Sequence, residues 1–254
     1  MAEAASLAPS EALRLTPFSP GRTLSVSLSV FARNFLPFLI ITLVINLPYI
    51  AVQTWLDAAI ADAAASGEST RMAGANIAIF FVQTVTFGLV QAALTYGTVQ
   101  ELRGQRASLG DCFRLGLANA GNIVGGALRY GLLLGLATLL LIVPGIILYL
   151  RWWVFMPAMV VEKLPPSESF ERSKMLTAGR RWALLGLSAA VFVVEIGVFI
   201  GVAMVIEGIV LDIVFTLLGI LVTAFSSVIA AVGYYHLRVE KEGAMIDDIA
   251  KVFD

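Results

Sequence analysis

Charge is scarce in this chain. Only 14% of its 254 residues are Asp, Glu, Lys or Arg, against about a quarter in soluble domains, while 59% are hydrophobic and mean hydropathy is +0.88. A chain this apolar needs a bilayer as its solvent. Its single cysteine, Cys112, excludes an intrachain disulfide and a Cys-based metal cage, and reads as a small apolar loop residue. One histidine, His236, and no paired carboxylates in the apolar stretches leave nothing from which to build a nucleophile or metal constellation. The reading is a non-enzymatic protein with no cofactor and no catalytic or metal residues. The start, Met1-Ala2-Glu3-Ala4-Ala5, lacks the basic segment of a cleavable signal peptide, so the first span is expected to direct insertion. The in/out alternation of a membrane barrel is missing too.

What is present is six long apolar stretches, at about Phe35–Leu56, Ala75–Tyr96, Ile123–Val143, Gly145–Val161, Trp182–Ile206 and Ile213–Tyr235. A helix crosses a bilayer with ~20 apolar residues, so the expected fold is an all-α, polytopic membrane protein of six transmembrane helices. Residues 1–22, with Pro9, Pro17, Pro20 and Gly21, are expected to form a flexible tail; residues 23–238 form the membrane domain and 239–254 a short C-terminal tail.

Opposite charges are sorted rather than absent. In an alternating six-pass topology, 14 of the 17 Lys and Arg residues fall on one side, and only Arg71 falls on the other, beside Asp57, Asp62, Glu68, Glu207 and Asp212. Arg129 and Arg151 lie within spans. By the positive-inside rule both termini face the cytoplasm, and the location expected is a bacterial cytoplasmic (inner) membrane. The net charge of −1 reflects this sorting and suggests no nucleic-acid partner.

Short amphipathic stretches precede each odd-numbered span and predict helices lying on the cytoplasmic surface. They are Thr23–Arg33, with Leu24, Leu28 and Phe31 on one face; Ser108–Leu117, with Leu109, Cys112 and Phe113; and Ser167–Ala178, with Phe170, Ser173 and Leu176 or Thr177. Ser108 with Asp111 is a capping pattern, and Gly179 a plausible stop. The first stretch also alternates as a strand would, but a lone strand at a bilayer has no partner. Three units of surface helix plus hairpin give a quasi-repeated plan.

The run Pro144-Gly145, Arg151, Pro157, Glu162, Arg172-Ser173, Leu176 and Gly179, with the ending Tyr234-Tyr235-His236-Leu237-Arg238 and Glu242-Gly243, resembles the glycerophosphoryl diester phosphodiesterase membrane-domain family and related bacterial inner-membrane proteins. The resemblance implies the membrane domain only. Family members that hydrolyse phosphodiesters carry a separate barrel with His and carboxylate metal ligands, and this chain holds no such domain.

Three polar residues fall in the apolar core of the spans. Counting ~1.5 Å per residue through a core of ~30 Å puts Glu195 roughly 20 Å, Arg151 roughly 21 Å and Asn46 roughly 18 Å above the inner surface. An intramembrane carboxylate is a functional-site candidate by default, and an Arg at matching depth is its natural partner. Glu195, Arg151 and Asn46 are therefore expected to form a midplane polar cluster. Structural hydrogen bonding is the alternative for Glu195, and a snorkelling or phosphate-binding role the alternative for Arg151. Arg172, Lys174, Arg180 and Arg181 form a basic cluster at the inner leaflet, suited to anionic lipid headgroups and also explained by topology alone.

Small residues form two stripes, Gly121, Gly125, Gly131 and Gly135 on span three and Gly186, Ala190, Gly197 and Gly201 on span five, both expected to be internal packing seams. Pro144-Gly145 is expected to be the turn joining spans three and four, while Pro48 and Pro157 should kink their spans. The partners expected are membrane lipids and other membrane proteins, with the oligomeric state open. A small-solute transporter using the midplane cluster is the alternative function.

Overall fold

The structure is a computed structural model that describes residues 17–106 and 108–243. The expected tail residues 1–16 and 244–254 therefore lie outside the described residues, as do Arg14 and Lys251 of the charge count. Among the described residues there is no strand, and six helical segments are long and apolar enough to cross a membrane. In chain order the helices are α1 (Pro20–Arg33), α2 (Phe35–Ser66), α3 (Ser69–Leu102), α4 (Leu109–Gly116), α5 (Ala120–Leu140), α6 (Ile142–Arg151), α7 (Phe155–Glu162), α8 (Pro166–Thr177), α9 (Arg181–Ala203) and α10 (Ile209–Glu242).

Spans one, two and six (α2, α3 and α10) are longer than their apolar stretches, because the helical hydrogen-bond ladder continues beyond the hydrocarbon until a residue stops it. Gly67 and Gly243 do this in the left-handed conformation, at φ 74° and 63°. The spans alternate in direction. A Cβ built on Gly131 would lie 2.5 Å from Thr84, one on Gly135 3.5 Å from Phe80, and one on Gly88 2.6 Å from Ala127, so α5 runs antiparallel to α3. One end of the bundle gathers α1, α4, α8 and the C-terminal turn of α10, with most of the cations; we call it the basic end. The other carries Asp57, Asp62, Glu68, Glu207 and Asp212.

All three predicted surface segments are helical. Ser108 caps α4 by accepting from the Asp111 amide at 3.0 Å, and Gly179 follows α8 with φ 81°. On α8 the buried face is Ser169, Phe170, Ser173, Leu176 and Thr177, as the sequence indicates. The face of α1 differs: Leu28 is exposed, and Thr23, Val26, Ser27, Val30 and Phe31 are buried. Thr23 and Ser27 tolerate burial because each hydroxyl donates to a carbonyl one turn back, Ser19 at 3.0 Å and Thr23 at 2.7 Å. α1 also starts at Pro20, inside the segment read as a tail.

Two other sequence expectations are corrected. Pro144-Gly145 is not the turn between spans three and four; the chain reverses at Leu141, in extended conformation, and both residues lie in the first turns of α6. Pro144 fits there because the first-turn amides need no helical acceptor. Gly145 serves close approach, since a Cβ would lie 2.4 Å from Thr138 of α5. The span-five stripe is not a seam: around Gly186, Gly197 and Gly201 nothing lies within 4 Å of a would-be Cβ. On span three the seam is mixed. Gly131 and Gly135 meet α3, Gly121 and Gly125 meet nothing, and Gly126, off the stripe, meets Met159 and Phe155.

Candidate functional site

Span four is two helices. α6 ends at Arg151, three residues break the ladder, and α7 starts at Phe155. Pro157 falls in the first turn of α7, where its missing donor is harmless, so it starts the second half-helix rather than kinking a continuous one. A break inside a membrane domain exposes backbone groups that must be satisfied internally. α8 supplies the partners: the Ser173 hydroxyl donates to the Arg151 carbonyl at 3.0 Å and accepts from the Val154 amide at 3.2 Å, and Thr177 donates to the Arg151 carbonyl at 3.3 Å. Residues Phe155–Val161 are all buried. The third amphipathic helix is thus docked into the break.

Below the break, Glu162 accepts both oxygens' worth of bonds from Arg172 Nε at 2.8 Å and a further bond from the Tyr234 hydroxyl at 2.7 Å. Arg172 also donates to Glu242 at 2.9 Å, and Arg238 reaches Glu242 at 3.1 Å and the Tyr234 oxygen at 2.9 Å. Beside this network Arg180 pairs with Glu240. The hydrogen bond to Glu242 is the main force holding the Arg172 pKa above its ordinary value; burial opposes it, and Glu162 adds to it. Hydrogen bonding to Glu240 likewise raises Arg180. The cluster read as lipid-facing is therefore divided. Arg172 and Arg180 are committed to glutamates of α7 and α10, and Lys174 pairs with Glu171 one turn away at 2.9 Å. Arg181 has a buried Nε with no hydrogen-bond partner. Cys112, pushed up to about 12 by burial, is an inert thiol.

The midplane cluster does not form. Glu195 accepts from Ser226 of α10 at 3.5 Å and makes no ion pair, while the Nε of Arg151 is buried without a hydrogen-bond partner. The Arg151 carbonyl accepts from Ser173 and Thr177 of α8, so this residue sits beside the surface helix of the basic end, whereas Glu195 meets Ser226 of α10. Asn46 donates to the Thr42 carbonyl within its own helix at 2.7 Å.

Asn46 does line a large cleft of about 1390 Å³ between α2, α3, α5 and α10. Asp57 of α2 and Asp212 of α10 lie at its mouth, near the end opposite the basic one. Amides line it further in, from Gln53 and Gln83 to Gln91, among the rings of Phe80, Phe87 and Tyr130. Among the described residues no Lys or Arg contributes to its wall. Gly88, Ala127 and Met156 also line it, where helices approach so closely that a Cβ on Gly88 would overlap Ala127. Glu195 faces a second, smaller pocket of about 170 Å³ that shares Phe87, Gln91, Tyr130 and Phe155 with the cleft. Sequence reading missed both spaces. The amides at 53, 83 and 91 are a visible signal, but only the rotation of each helix shows that they converge. Among the described residues no group of three or more His, Cys, Asp or Glu is placed to hold a metal ion.

Comparison of the chain with family models, with curated proteins and with solved structures gives no match.

Proposed function

We propose that this protein is a non-enzymatic, multi-pass protein of the bacterial cytoplasmic membrane that binds a lipid-like amphiphile in the cleft between α2, α3, α5 and α10. One observation carries the reading: a cleft of about 1390 Å³ whose charged wall residues are carboxylates, Asp57 and Asp212. Its rings and aliphatic walls suit acyl chains, its amides suit a polar group, and its charge favours a neutral or cationic headgroup over an anionic one. Native mass spectrometry of the protein extracted in mild detergent tests this. A co-purifying zwitterionic or neutral lipid, displaced in a Gln83→Leu, Gln91→Leu variant, supports it; only anionic lipids, or none, refutes it.

Binding is preferred to transport because beyond the cleft every residue of α3 from Ala92 to Leu102 is buried in contact with the rest of the basic end. Passage through the domain would require that contact to open. Flux of solute into liposomes carrying the protein would move the reading to a transporter.

The orientation proposed puts the basic end in the cytoplasm, on the 14-to-1 cation asymmetry. With Cys112 replaced, a cysteine at Ser66 should be labelled from outside and one at Lys174 protected; the reverse pattern inverts the topology. The resemblance to the glycerophosphoryl diester phosphodiesterase membrane-domain family remains part of the proposal. In its support, the residues that carry it make one unit: Ser173 caps Arg151, Arg172 holds Glu162, Pro157 opens α7 and Gly179 ends the α8 turn. Those roles are structural, which fits a domain without hydrolytic chemistry.

A further inference from the structure

Glu195 is a carboxylate within a membrane span with a single hydrogen-bond partner, Ser226 at 3.5 Å, and no ion pair. Among the described residues it is the only charged one lining its pocket of about 170 Å³. The rest of the wall is unusually aromatic, including Tyr130, Tyr149, Trp152, Trp153 and Phe192. Tyr149 and Trp153 both donate to Ser188, at 3.3 and 3.2 Å, so their hydrogen-bond donors are consumed there. What they offer a ligand is ring surface, with its negative face. A desolvated carboxylate beside several aromatic rings is complementary to one kind of charge: a soft, weakly hydrated cation. A phosphate or carboxylate ligand would meet repulsion from Glu195, and a metal ion would find one carboxylate and no further acidic ligand.

We propose that the Glu195 pocket binds a small organic monocation of the alkylammonium class, with Glu195 as counter-ion and the tyrosine and tryptophan rings as the cage. The site rests on its own wall residues and holds whether or not the large cleft binds an amphiphile. Phe87, Gln91, Tyr130 and Phe155 line both spaces, so the pocket adjoins the cleft. The same chemistry has two sources, a free quaternary amine or the headgroup of a choline lipid.

The test is titration of the purified full chain in detergent with tetramethylammonium chloride, read by tryptophan fluorescence and by thermal stability, with sodium chloride at equal ionic strength as control. The expected result is a saturable change with tetramethylammonium that sodium does not give, weakened at least tenfold in Glu195→Gln. That variant keeps the side-chain shape and a group for Ser226 to bond. Phe192→Ala, at a largely exposed side chain, should weaken binding by several fold without unfolding, and serves if Glu195→Gln does not fold. A second arm repeats the titration in nanodiscs of phosphatidylcholine and of phosphatidylglycerol. Occupancy already complete in the choline lipid, with titration only in phosphatidylglycerol, assigns the site to a headgroup; equal titration in both assigns it to a free amine. An identical response to sodium, no saturable response in detergent, or undiminished binding in both variants overturns the proposal. Loss of cleft lipid in Gln83→Leu, a position that lines the cleft and not the Glu195 pocket, with tetramethylammonium binding retained, would separate this site from the cleft.

Discussion

The two halves of the membrane domain are packed by different rules. At the basic end every residue of α3 from Val90 to Leu102 is buried, as are all from Phe155 to Val161 and all of α10 from Ser227 to Leu237. Toward the opposite end the same two long helices bury little: before Thr86, α3 buries only Ala75, and before Ala224, α10 buries only Ile220. In lipid the hydrophobic effect does not drive helices together, so contact must come from small residues, polar pairs and extra chain. The basic end has all three, with Gly97, Gly116 and Gly233 at close approaches, the Glu162 network, and α1, α4 and α8 docked on it. The opposite end has long helices, exposed apolar residues for lipid, and space. Hence the dense half is the scaffold, and the open half holds the cleft proposed to take a ligand.

Glycine substitution tests this contrast most strongly. A Cβ on Gly116 would lie 2.7 Å from the Ala93 Cα and 3.2 Å from the Ala92 carbonyl oxygen, both backbone, so α4 would have to move. Gly116→Ala should cost about 2–3 kcal/mol, visible as a lower melting temperature in detergent. Gly197→Ala, with open space around it, should be neutral or gain up to about 1 kcal/mol. Equal losses in the two variants would break the comparison.

Ser173→Ala tests the docking of α8 into the span-four break. It removes the acceptor of the Val154 amide and a donor to the Arg151 carbonyl, which keeps Thr177. A loss of about 1–2 kcal/mol is expected, with faster hydrogen exchange at Val154; unchanged exchange there would show that the break is satisfied by other means.

Arg172→Met should lose about 1 kcal/mol, less than a fully buried pair, because the network is partly exposed and Arg238 still reaches Glu242. Its pH dependence has a defined sign. The Arg172 pKa is raised above the ordinary arginine value in the folded protein, so its stabilisation is fully present below the ordinary value and is lost only as pH rises through the raised one. Thermal unfolding at pH 7 and pH 10 should therefore show the same wild-type-to-variant difference. A difference that shrinks at pH 10 would assign the stabilisation to another group.

The smallest effect on stability is expected from Asp57→Asn with Asp212→Asn at the cleft mouth, within about 0.5 kcal/mol. On the proposed function the double variant should instead admit anionic lipid where the parent takes none, as read by native mass spectrometry. A large drop in melting temperature would make these carboxylates part of the scaffold.

Much of the fold is legible in the sequence, because the bilayer imposes a one-dimensional rule: about 20 apolar residues per span, with cations biased to one side. Local chemistry is equally readable, as with the Ser108 cap, the left-handed Gly179 and the buried face of α8. These features depend on neighbours within a few residues. What the sequence could not determine is which face of each span meets which other span. Arg151 and Glu195 match in counted depth yet stay unpaired: the end of α6 docks on Ser173 and Thr177 of α8, and Glu195 turns to Ser226 of α10. Glu162, Arg172, Tyr234, Arg238 and Glu242 are spread over eighty residues and become one network only when α7, α8 and α10 are brought together. Gly97 and Gly197 look alike as letters; one faces the Phe38 ring and the other faces open space. Hydropathy fixes that a helix crosses, but helix rotation and the break after Arg151 are set by packing between distant segments, and only the tertiary structure decides those.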